Sequence, residues 1–161
     1  MRLARAGDIN LLLDLMDEFY AEAGYRLNRN RASVGFNDLL EDGRLGWIWM
    51  IQAEGRDVGY AVTTFRYSME YCGRMAAVDD LYVRPEWRNR GVATEALIEI
   101  RNFLKSRGIR AVTVEVGQEN GSAQSVYRKA GLAAIPDRRV FACELAAPAH
   151  IVSDTPSSVG S

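Results

Sequence analysis

The sequence is poor in the residues that most often carry nucleophilic and metal chemistry. Among 161 residues it has one histidine, His150, and two cysteines, Cys72 and Cys143, which lie far apart in the chain. A lone histidine in a C-terminal stretch without periodicity excludes Ser-His-Asp and Cys-His schemes and histidine-based metal sites. Neither cysteine has neighbours at metal-ligand spacing. Any chemistry must therefore use carboxylates, tyrosine, backbone dipoles and water.

The chain also lacks an excess of charge of either sign. It has 20 Lys and Arg residues against 21 Asp and Glu residues. This balance gives no basic field that could hold nucleic acid or an anionic membrane. The N-terminus carries Arg2, Arg5 and Asp8 where a secretory signal would need an apolar run. We therefore expect a cytoplasmic, metal-free protein that binds neither nucleic acid nor membranes.

Hydrophobic residues make up 48% of the chain, which is enough for the core of one domain. The sequence shows neither an internal repeat nor a second domain. After Leu145 it becomes small and polar, with two prolines and no periodicity. We therefore expect one domain over residues 1–145 and a flexible tail over residues 146–161.

Hydrophobic periodicity predicts an alternation of helices and strands. From the N-terminus, the predicted elements are a strand at 2–5, a helix capped by Asp8 and ended by Gly24, and a short helix capped by Ser33. Two strands at 47–51 and 58–65, joined by a turn, come next, and a loop at 66–74 leads to a strand at 78–83. The last elements are a helix from Ala93 to Arg107, a strand at 109–116, a helix at 122–130, and a hairpin of 132–135 with 139–145. This order predicts an α/β sandwich around a mixed, mostly antiparallel central sheet.

The stretch from Val78 to Ala93 is the most informative part of the chain. A strand-like run meets Pro85, and a basic turn containing Gly91 then opens into the strongest helical pattern of the sequence. A helix start leaves backbone N–H groups unpaired and carries partial positive charge. The turn therefore predicts a cradle for a phosphate group, with Arg88 and Arg90 supplying charge.

Two blocks of sequence resemble the signatures of the GCN5-related N-acetyltransferase (GNAT) family. Arg88-x-x-Gly91-x-Ala93 resembles the family's acetyl-CoA signature, and the run from Glu115 to Asn120 begins a second block at the expected spacing. That block continues with Ala123, Tyr127, Lys129 and Gly131. The family's usual Phe after the last glycine is Leu132 in this chain. The resemblance covers nearly the whole chain, and it implies the GNAT-type fold with acetyl-CoA as cosubstrate.

The resemblance also implies which residues hold acetyl-CoA. Backbone groups of the strand before the turn would bind the pantetheine arm and the thioester carbonyl, the turn would bind the pyrophosphate, and one asparagine would bind the pantetheine. These residues are Leu81, Tyr82, Val83, Arg88, Asn89, Arg90, Gly91, Val92, Ala93, Thr94 and Asn120.

For catalysis, direct attack of an amine on the thioester needs a base for the amine and a proton for the departing thiolate. Glu115 matches the position of the base in the GNAT enzymes that acetylate the N-terminal alanine of a ribosomal protein. Asp79 is the rival, and Asp80 and Glu70 are weaker alternatives. The resemblance makes Tyr127 the candidate acid, against the simpler hypothesis of a core tyrosine.

The predicted function is an acetyl-CoA-dependent N-acetyltransferase that acts on a primary amine of a small molecule or a peptide. The alternative is a non-catalytic acyl-CoA sensor that keeps the cofactor cradle. A P-loop nucleotide binder is excluded because no Gly-Lys-Ser/Thr follows the turn. The expected partners are the amine acceptor and, as one alternative, a second copy of the chain in a homodimer.

Overall fold

The computed structural model describes residues 1–136, 139–141, 143, 145 and 150–152. Within these ranges the strands are β1 (Arg2–Leu3), β2 (Tyr25–Leu27), β3 (Gly46–Ala53), β4 (Arg56–Ser68), β5 (Gly73–Val83), β6 (Val112–Val114) and β7 (His150–Val152). The helices are α1 (Ile9–Glu22), α2 (Arg29–Glu41), α3 (Val92–Ser106) and α4 (Gly121–Lys129). No helix of the described residues has the length and apolar character required to span a bilayer.

The central sheet has five strands in the order β1-β3-β4-β5-β6. All neighbours are antiparallel except β5 and β6, which run parallel. The β3–β4 turn places Glu54 and Gly55 at positive φ, which suits the twist of a two-residue hairpin. The predicted α/β sandwich around a mixed, mostly antiparallel sheet is therefore confirmed.

Each face of the sheet is covered by helices. The first core lies under α1 and α2, where Leu12 and Phe36 pack with Tyr60 of the sheet. The second core lies under α3, whose buried residues include Ala96, Leu97, Ile100 and Leu104. These α3 residues follow the predicted helical spacing, so the helix exists because its apolar stripe can be buried.

A β-bulge in β5 interrupts the regular alternation of side chains. Val62 of β4 pairs with Asp80 and the next residue, Thr63, pairs with Val78, so Asp79 is an extra residue without a direct partner on β4. The extra residue changes the face to which its neighbours belong. Val78 packs in the core with Leu97 on the α3 face, whereas the Asp80 carboxylate reaches Tyr60 in the core under α1 and α2.

Several predicted elements differ in their bounds. Helix α2 begins at Arg29 because the Asn28 side chain accepts a hydrogen bond from the Arg31 N–H (3.2 Å), so Asn28 rather than Ser33 caps it. The expected loop at 66–74 is mostly strand, since β4 and β5 continue their pairing out to Ser68 and Gly73. Asp8 lies at the start of α1, but its side chain accepts hydrogen bonds from Arg5 and Arg2 and none from the helix.

The end of the chain differs most from the prediction. Strand β6 has three residues, against the eight expected over 109–116, and residues 132–135 form no strand. The described residues of 139–145 also form none, so the predicted final hairpin is wrong there. In the stretch expected to be a flexible tail, His150–Val152 pairs with Tyr25–Leu27. Residues 137, 138, 142, 144, 146–149 and 153–161 lie outside the described residues.

Candidate active site

A cavity of about 200 Å³ lies where β5 and β6 separate. The two parallel strands pair from Ala76 to Val78 and from Val112 to Val114, and among the described residues the pairing does not continue past Val78 and Val114. One wall comes from β5, one from the chain after β6, one from α4 and one from α1. The lining residues are Phe19, Val78, Asp79, Leu81, Val114, Glu115, Val116, Gly117, Asn120, Ala123 and Tyr127. Five residues predicted for the site from the sequence therefore lie around one cavity.

Near the end of β5, alternate residues direct their backbone groups away from β4 and toward this cavity, and of these groups the Val83 carbonyl accepts a hydrogen bond from Arg88 Nε (2.7 Å). Arg84 N–H donates to Val58 O (3.0 Å), and the register pairs Tyr82 with Tyr60 two residues earlier. In an antiparallel ladder these alternate residues direct their backbone groups to the partner strand, and the residues between them direct theirs away. Leu81 and Val83 therefore face the gap left by β6. Tyr82, predicted to bind pantetheine with its backbone, uses that backbone to pair with β4.

Two carboxylates line the cavity from opposite walls. Asp79 lies at the bulge of β5, and Glu115 directly follows β6. Neither has a Lys or Arg nitrogen within 4.0 Å among the described residues, whereas Glu18 and Glu22 are both in ion pairs with arginine. Glu70 lies in the turn between β4 and β5 and does not line the cavity. Of the four carboxylates considered from the sequence, Asp79 and Glu115 are the two within reach of a ligand in this cavity.

Asp80 is the residue whose environment the sequence did not reveal. Its Oδ2 accepts a hydrogen bond from the Tyr60 hydroxyl (2.9 Å) behind the bulge. Burial, reinforced by the negative charge of Asp79, raises the pKa of Asp80 to about 6 although the Tyr60 hydrogen bond lowers it. Burial and the charges of Asp80 and Asp79 also raise the pKa of Tyr20 to about 12. The sequence feature that could have indicated such a buried carboxyl group is an Asp within the apolar run of a strand.

Helix α4 supplies two polar groups to the cavity. The Asn120 side chain accepts a hydrogen bond from Ala123 N–H (3.0 Å) and caps the helix, which leaves its amide N–H donors for a ligand. Tyr127 is half-buried, and burial raises its pKa, so its hydroxyl stays protonated at neutral pH. Arg101 of α3 donates to Ala130 O (2.6 Å) and holds the end of α4 in place.

The predicted phosphate turn follows β5 and does not line the cavity. Asn89 and Gly91 have positive φ values of 61° and 83°, and α3 begins at Val92. The first helical hydrogen bond runs from Glu95 N–H to Gly91 O (2.9 Å), which leaves the N–H groups of residues 92–94 without a helical partner. These donors, with the helix dipole, form an anion site of the predicted kind.

The two arginines of the turn differ in their contacts. Arg90 is exposed, with its guanidinium over the Trp87 ring (5.2 Å) and 4.0 Å from Glu54. Arg88 instead donates from Nε to Val83 O (2.7 Å) and from Nη2 to both carboxylate oxygens of Glu22 (2.8 Å each). The Arg88 side chain is therefore directed back to β5 and α1, and Arg90 is the more accessible cation.

Among the described residues, no three His, Cys, Asp or Glu side chains are grouped as a metal site requires. The free cysteines, Cys72 and Cys143, are exposed. The groups available for chemistry in the cavity are thus two carboxylates, one phenol, one side-chain amide and backbone N–H groups.

Comparison with known proteins gives similarity at the level of family and fold. The family model described as acetyltransferase (GNAT) family matches residues 10–132. The thialysine N-epsilon-acetyltransferase of Bos taurus is 26% identical over 86 residues, which cover 53% of this chain and 50% of that protein. The matches span half or less of the length of the first curated relatives.

Solved structures are similar over most of the chain, and two of them illustrate the range of identity. An integron cassette protein from the mobile metagenome of Cole Harbour Salt Marsh is 38% identical with a TM-score of 0.83, covering 92% of this chain and 91% of that one. A predicted acetyltransferase with acetyl-CoA from Clostridium acetobutylicum is 22% identical with a TM-score of 0.71, covering 88% and 94%. At that identity the second likeness concerns the fold alone. Because the family model matches most of the chain, and strands, turn and helices agree with it, this chain belongs to the acetyltransferase (GNAT) family.

Proposed function

We propose that the protein transfers the acetyl group of acetyl-CoA directly to a primary amine of a small molecule or a peptide. The observation that carries this proposal is the cavity between β5 and β6. There, two carboxylates with no Lys or Arg nitrogen within 4.0 Å in the described part of the chain and a protonated phenol border the backbone groups of Leu81 that face away from β4. Amine acylation needs a proton acceptor, a proton donor and a donor for the carbonyl oxygen, and this cavity contains a candidate for each.

The residues of the chain fit acetyl-CoA as the donor. The N–H groups at the start of α3 and the exposed Arg90 suit the pyrophosphate. The backbone of Leu81 and Val83 and the amide of Asn120 suit the polar groups of the pantetheine arm. Gly91 takes a left-handed conformation, and a Cβ added there would meet only the Glu95 carboxylate, at 3.9 Å. The turn is thus open toward the side from which a phosphate group would approach.

The chain's own groups have distinct roles in this proposal. Acetyl-CoA supplies the thioester whose carbonyl carbon takes the amine nitrogen and whose C–S bond breaks. Asp79 or Glu115 accepts the proton that the amine loses. The N–H of Leu81, which faces the cavity, stabilises the negative charge that develops on the carbonyl oxygen. The Tyr127 hydroxyl donates its proton to the departing sulfur.

The surroundings of Asp79 favour a cationic acceptor. Asp79 and Asp80 are adjacent at the bulge, and both charges act on Tyr20 of α1. A volume of about 200 Å³ corresponds to roughly seven water molecules, so it accommodates only the reacting ends of the two substrates. The name of the bovine relative refers to an amine on a lysine-like side chain, which supports an extended amine as acceptor.

The test is a screen for CoA release by the purified full-length chain with acetyl-CoA and a panel of amines. The panel contains lysine analogues, polyamines, aminoglycosides and peptides with free N-termini. We expect release that requires both substrates, with mass spectrometry detecting one added acetyl group on the acceptor. Glu115→Gln and Asp79→Asn identify the base, since the variant lacking it loses kcat and retains acetyl-CoA affinity. Acetyl-CoA binding in calorimetry without turnover of any amine would favour the acyl-CoA sensor instead.

A further inference from the structure

A network of charged groups joins the second half of α1 to the end of β5 and to the phosphate turn. Arg84 donates from Nε and Nη2 to the Glu18 carboxylate (3.0 and 2.8 Å), and Arg88 donates to both oxygens of Glu22. The Tyr82 hydroxyl lies between the two carboxylates, 3.3 Å from Glu18 and 3.2 Å from Glu22. Burial, reinforced by the negative charges of Glu22 and Glu18, raises the pKa of Tyr82, so its hydroxyl remains a donor. Each of the five side chains in this network therefore makes at least one hydrogen bond in which a charged group takes part.

Arg88 occupies the decisive place in this network. Its Nε donates to Val83 O (2.7 Å), its Nη2 donates to both carboxylate oxygens of Glu22, and its guanidinium carbon lies 5.4 Å from the centre of the Tyr82 ring. These contacts with Val83 O, Glu22 and the Tyr82 ring come from different directions, and together they fix the position of the Arg88 side chain. A guanidinium held this way is directed away from the N–H groups at the start of α3.

The backbone next to Arg88 is the turn itself. Asn89 and Gly91, both with positive φ, follow directly, and α3 begins one residue later. A non-glycine residue at positive φ, such as Asn89, keeps this conformation only where the surrounding structure holds it. Anchoring Arg88 therefore restricts the segment that presents the helical N–H groups. The anchor on the other side, Glu22, belongs to α1, which also contributes Phe19 to the cavity wall.

We propose that Arg88 and Glu22 are positioning residues that hold the phosphate turn in its binding conformation and couple it to helix α1. The proposal rests on the proposed function in one respect, namely that the turn binds the pyrophosphate of acetyl-CoA. Arg88 then acts on the cofactor through the backbone of residues 89–94, and Arg90 is the arginine whose charge faces the phosphates.

A direct phosphate contact by Arg88 gives opposite expectations for Glu22. If Arg88 contacted phosphate, Glu22→Gln would release its guanidinium and leave CoA affinity unchanged or higher. If Arg88 positions the turn, Glu22→Gln weakens CoA binding although Glu22 bears a charge of the same sign as the phosphates. Because both side chains are partly exposed, we expect roughly 3- to 10-fold weakening in Glu22→Gln and in Arg88→Gln, with the double variant no weaker than either single one.

Arg88→Lys provides a second test that separates a positioning role of Arg88 from a direct contact with phosphate. Lysine keeps the charge, but its single nitrogen cannot replace the two guanidinium nitrogens, Nε on Val83 O and Nη2 on Glu22. A positioning role predicts that Arg88→Lys binds CoA as weakly as Arg88→Gln, and that both keep the wild-type dependence of affinity on salt. Arg90→Gln is the matched control within the turn, and it should reduce the salt dependence. Salt dependence lost in Arg88→Gln and retained in Arg88→Lys would overturn the proposal.

The measurements are calorimetric titration of CoA at several salt concentrations and amide hydrogen exchange of the ligand-free chain. Exchange of the first hydrogen-bonded amides of α3, from Glu95 to Ile98, should accelerate in Glu22→Gln and in Arg88→Lys, but not in Asp14→Asn, which breaks a surface ion pair of α1 with Arg29. Unchanged exchange in both variants would overturn the proposal. Faster exchange without CoA binding by the wild-type chain would instead contradict the proposed function and leave the coupling of turn and α1 established.

Discussion

At the scale of single residues, Asp80 lies beside the proposed acceptor site, and ionisation of its buried carboxyl group lowers the stability of the folded state. Its pKa of about 6 lies above the ordinary value of 3.8 because burial disfavours the charged form. A carboxyl group with a raised pKa in the folded state binds protons more tightly there than in the unfolded chain. The folded state therefore loses stability as pH rises from about 4 to about 6, and the loss stays constant above that range.

Asp80→Asn should remove this cost, since the amide oxygen still accepts the Tyr60 hydrogen bond. We expect the variant to exceed the wild type by roughly 1–3 kcal/mol in free energy of unfolding at about pH 8, and by little at about pH 4. Urea denaturation across this range measures the difference. Asp38→Asn, an exposed change on α2, is the control and should stay within about 0.5 kcal/mol at each pH. A pH-independent difference would show that Asp80 does not titrate as inferred.

Tyr127 is the second residue of interest, because we expect its hydroxyl group alone to determine kcat. Its pKa is raised by burial, which favours a phenol that holds its proton until a stronger base forms beside it. Tyr127→Phe removes only the hydroxyl, and we expect kcat to fall by roughly 10²- to 10⁴-fold with acetyl-CoA affinity and thermal stability little changed. Tyr67→Phe, at an exposed position of β4, should leave all three unchanged. A Tyr127→Phe variant with near wild-type kcat would identify Tyr127 as a packing residue.

At the scale of elements, the turn before α3 depends on the conformation of Gly91. The φ of 83° strains any residue with a Cβ, and a Glu at this position adds a negative charge beside Glu95 and in front of the helical N–H groups. We expect Gly91→Glu to weaken acetyl-CoA binding by about 10-fold or more, on the order of 1.4 kcal/mol.

The control for Gly91→Glu lies at the other end of the same helix. Gly108 has a φ of 75° and open space around its Cα, so Gly108→Glu brings a similar backbone strain far from the turn. Both variants should lose thermal stability, and only Gly91→Glu should lose affinity in calorimetric titration. Equal affinity in a folded Gly91→Glu protein would exclude the turn as the phosphate site.

The elements also show where sequence reasoning succeeds and where it stops. Helix α3 was predictable to within one residue because its apolar spacing and Gly108 mark its face and its end. The cavity residues Glu115, Asn120 and Tyr127 were predictable because they belong to the second signature block, and Asp79 and Leu81 because they lie on the strand that leads to the first block.

Other features depend on the balance of tertiary contacts. The bulge at Asp79 inserts one residue without any change in composition, so no pattern reveals that Val78 and Asp80 lie on opposite faces. The Arg88 side chain was expected to serve phosphate, but its partner Glu22 is 66 residues away in sequence. The prediction after residue 131 is wrong for a related reason: the apolar run at 132–135 fits a strand locally, yet it pairs with no strand among the described residues.

At the scale of the whole molecule, positive and negative side chains are nearly equal in number, but the carboxylates differ in whether an arginine neutralises them. Most carboxylates of the α1 side are neutralised by arginine, as in the pairs of Glu18 with Arg84 and Asp14 with Arg29. Asp79, Asp80 and Glu115 have no such partner among the described residues. In a molecule with a formal net charge of −1, these three carboxylates thus lie at the proposed acceptor cavity or directly behind it. A field of this kind attracts cations over distances set by the Debye length.

Capture of a cationic amine should therefore depend on ionic strength. Raising it from about 0.01 M to about 1 M shortens the Debye length from about 30 Å to about 3 Å, and we expect kcat/KM for the preferred amine to fall several-fold. Asp79→Asn should flatten this dependence because it removes the exposed carboxylate of the cavity. Glu70→Gln, which changes the net charge equally at a position outside the cavity, should preserve the dependence. The same dependence in wild type and Asp79→Asn would mean that the local field at the bulge does not steer the substrate. Salt sensitivity lost equally in both variants would assign the attraction to net charge, which at −1 is too small to produce a several-fold effect by itself.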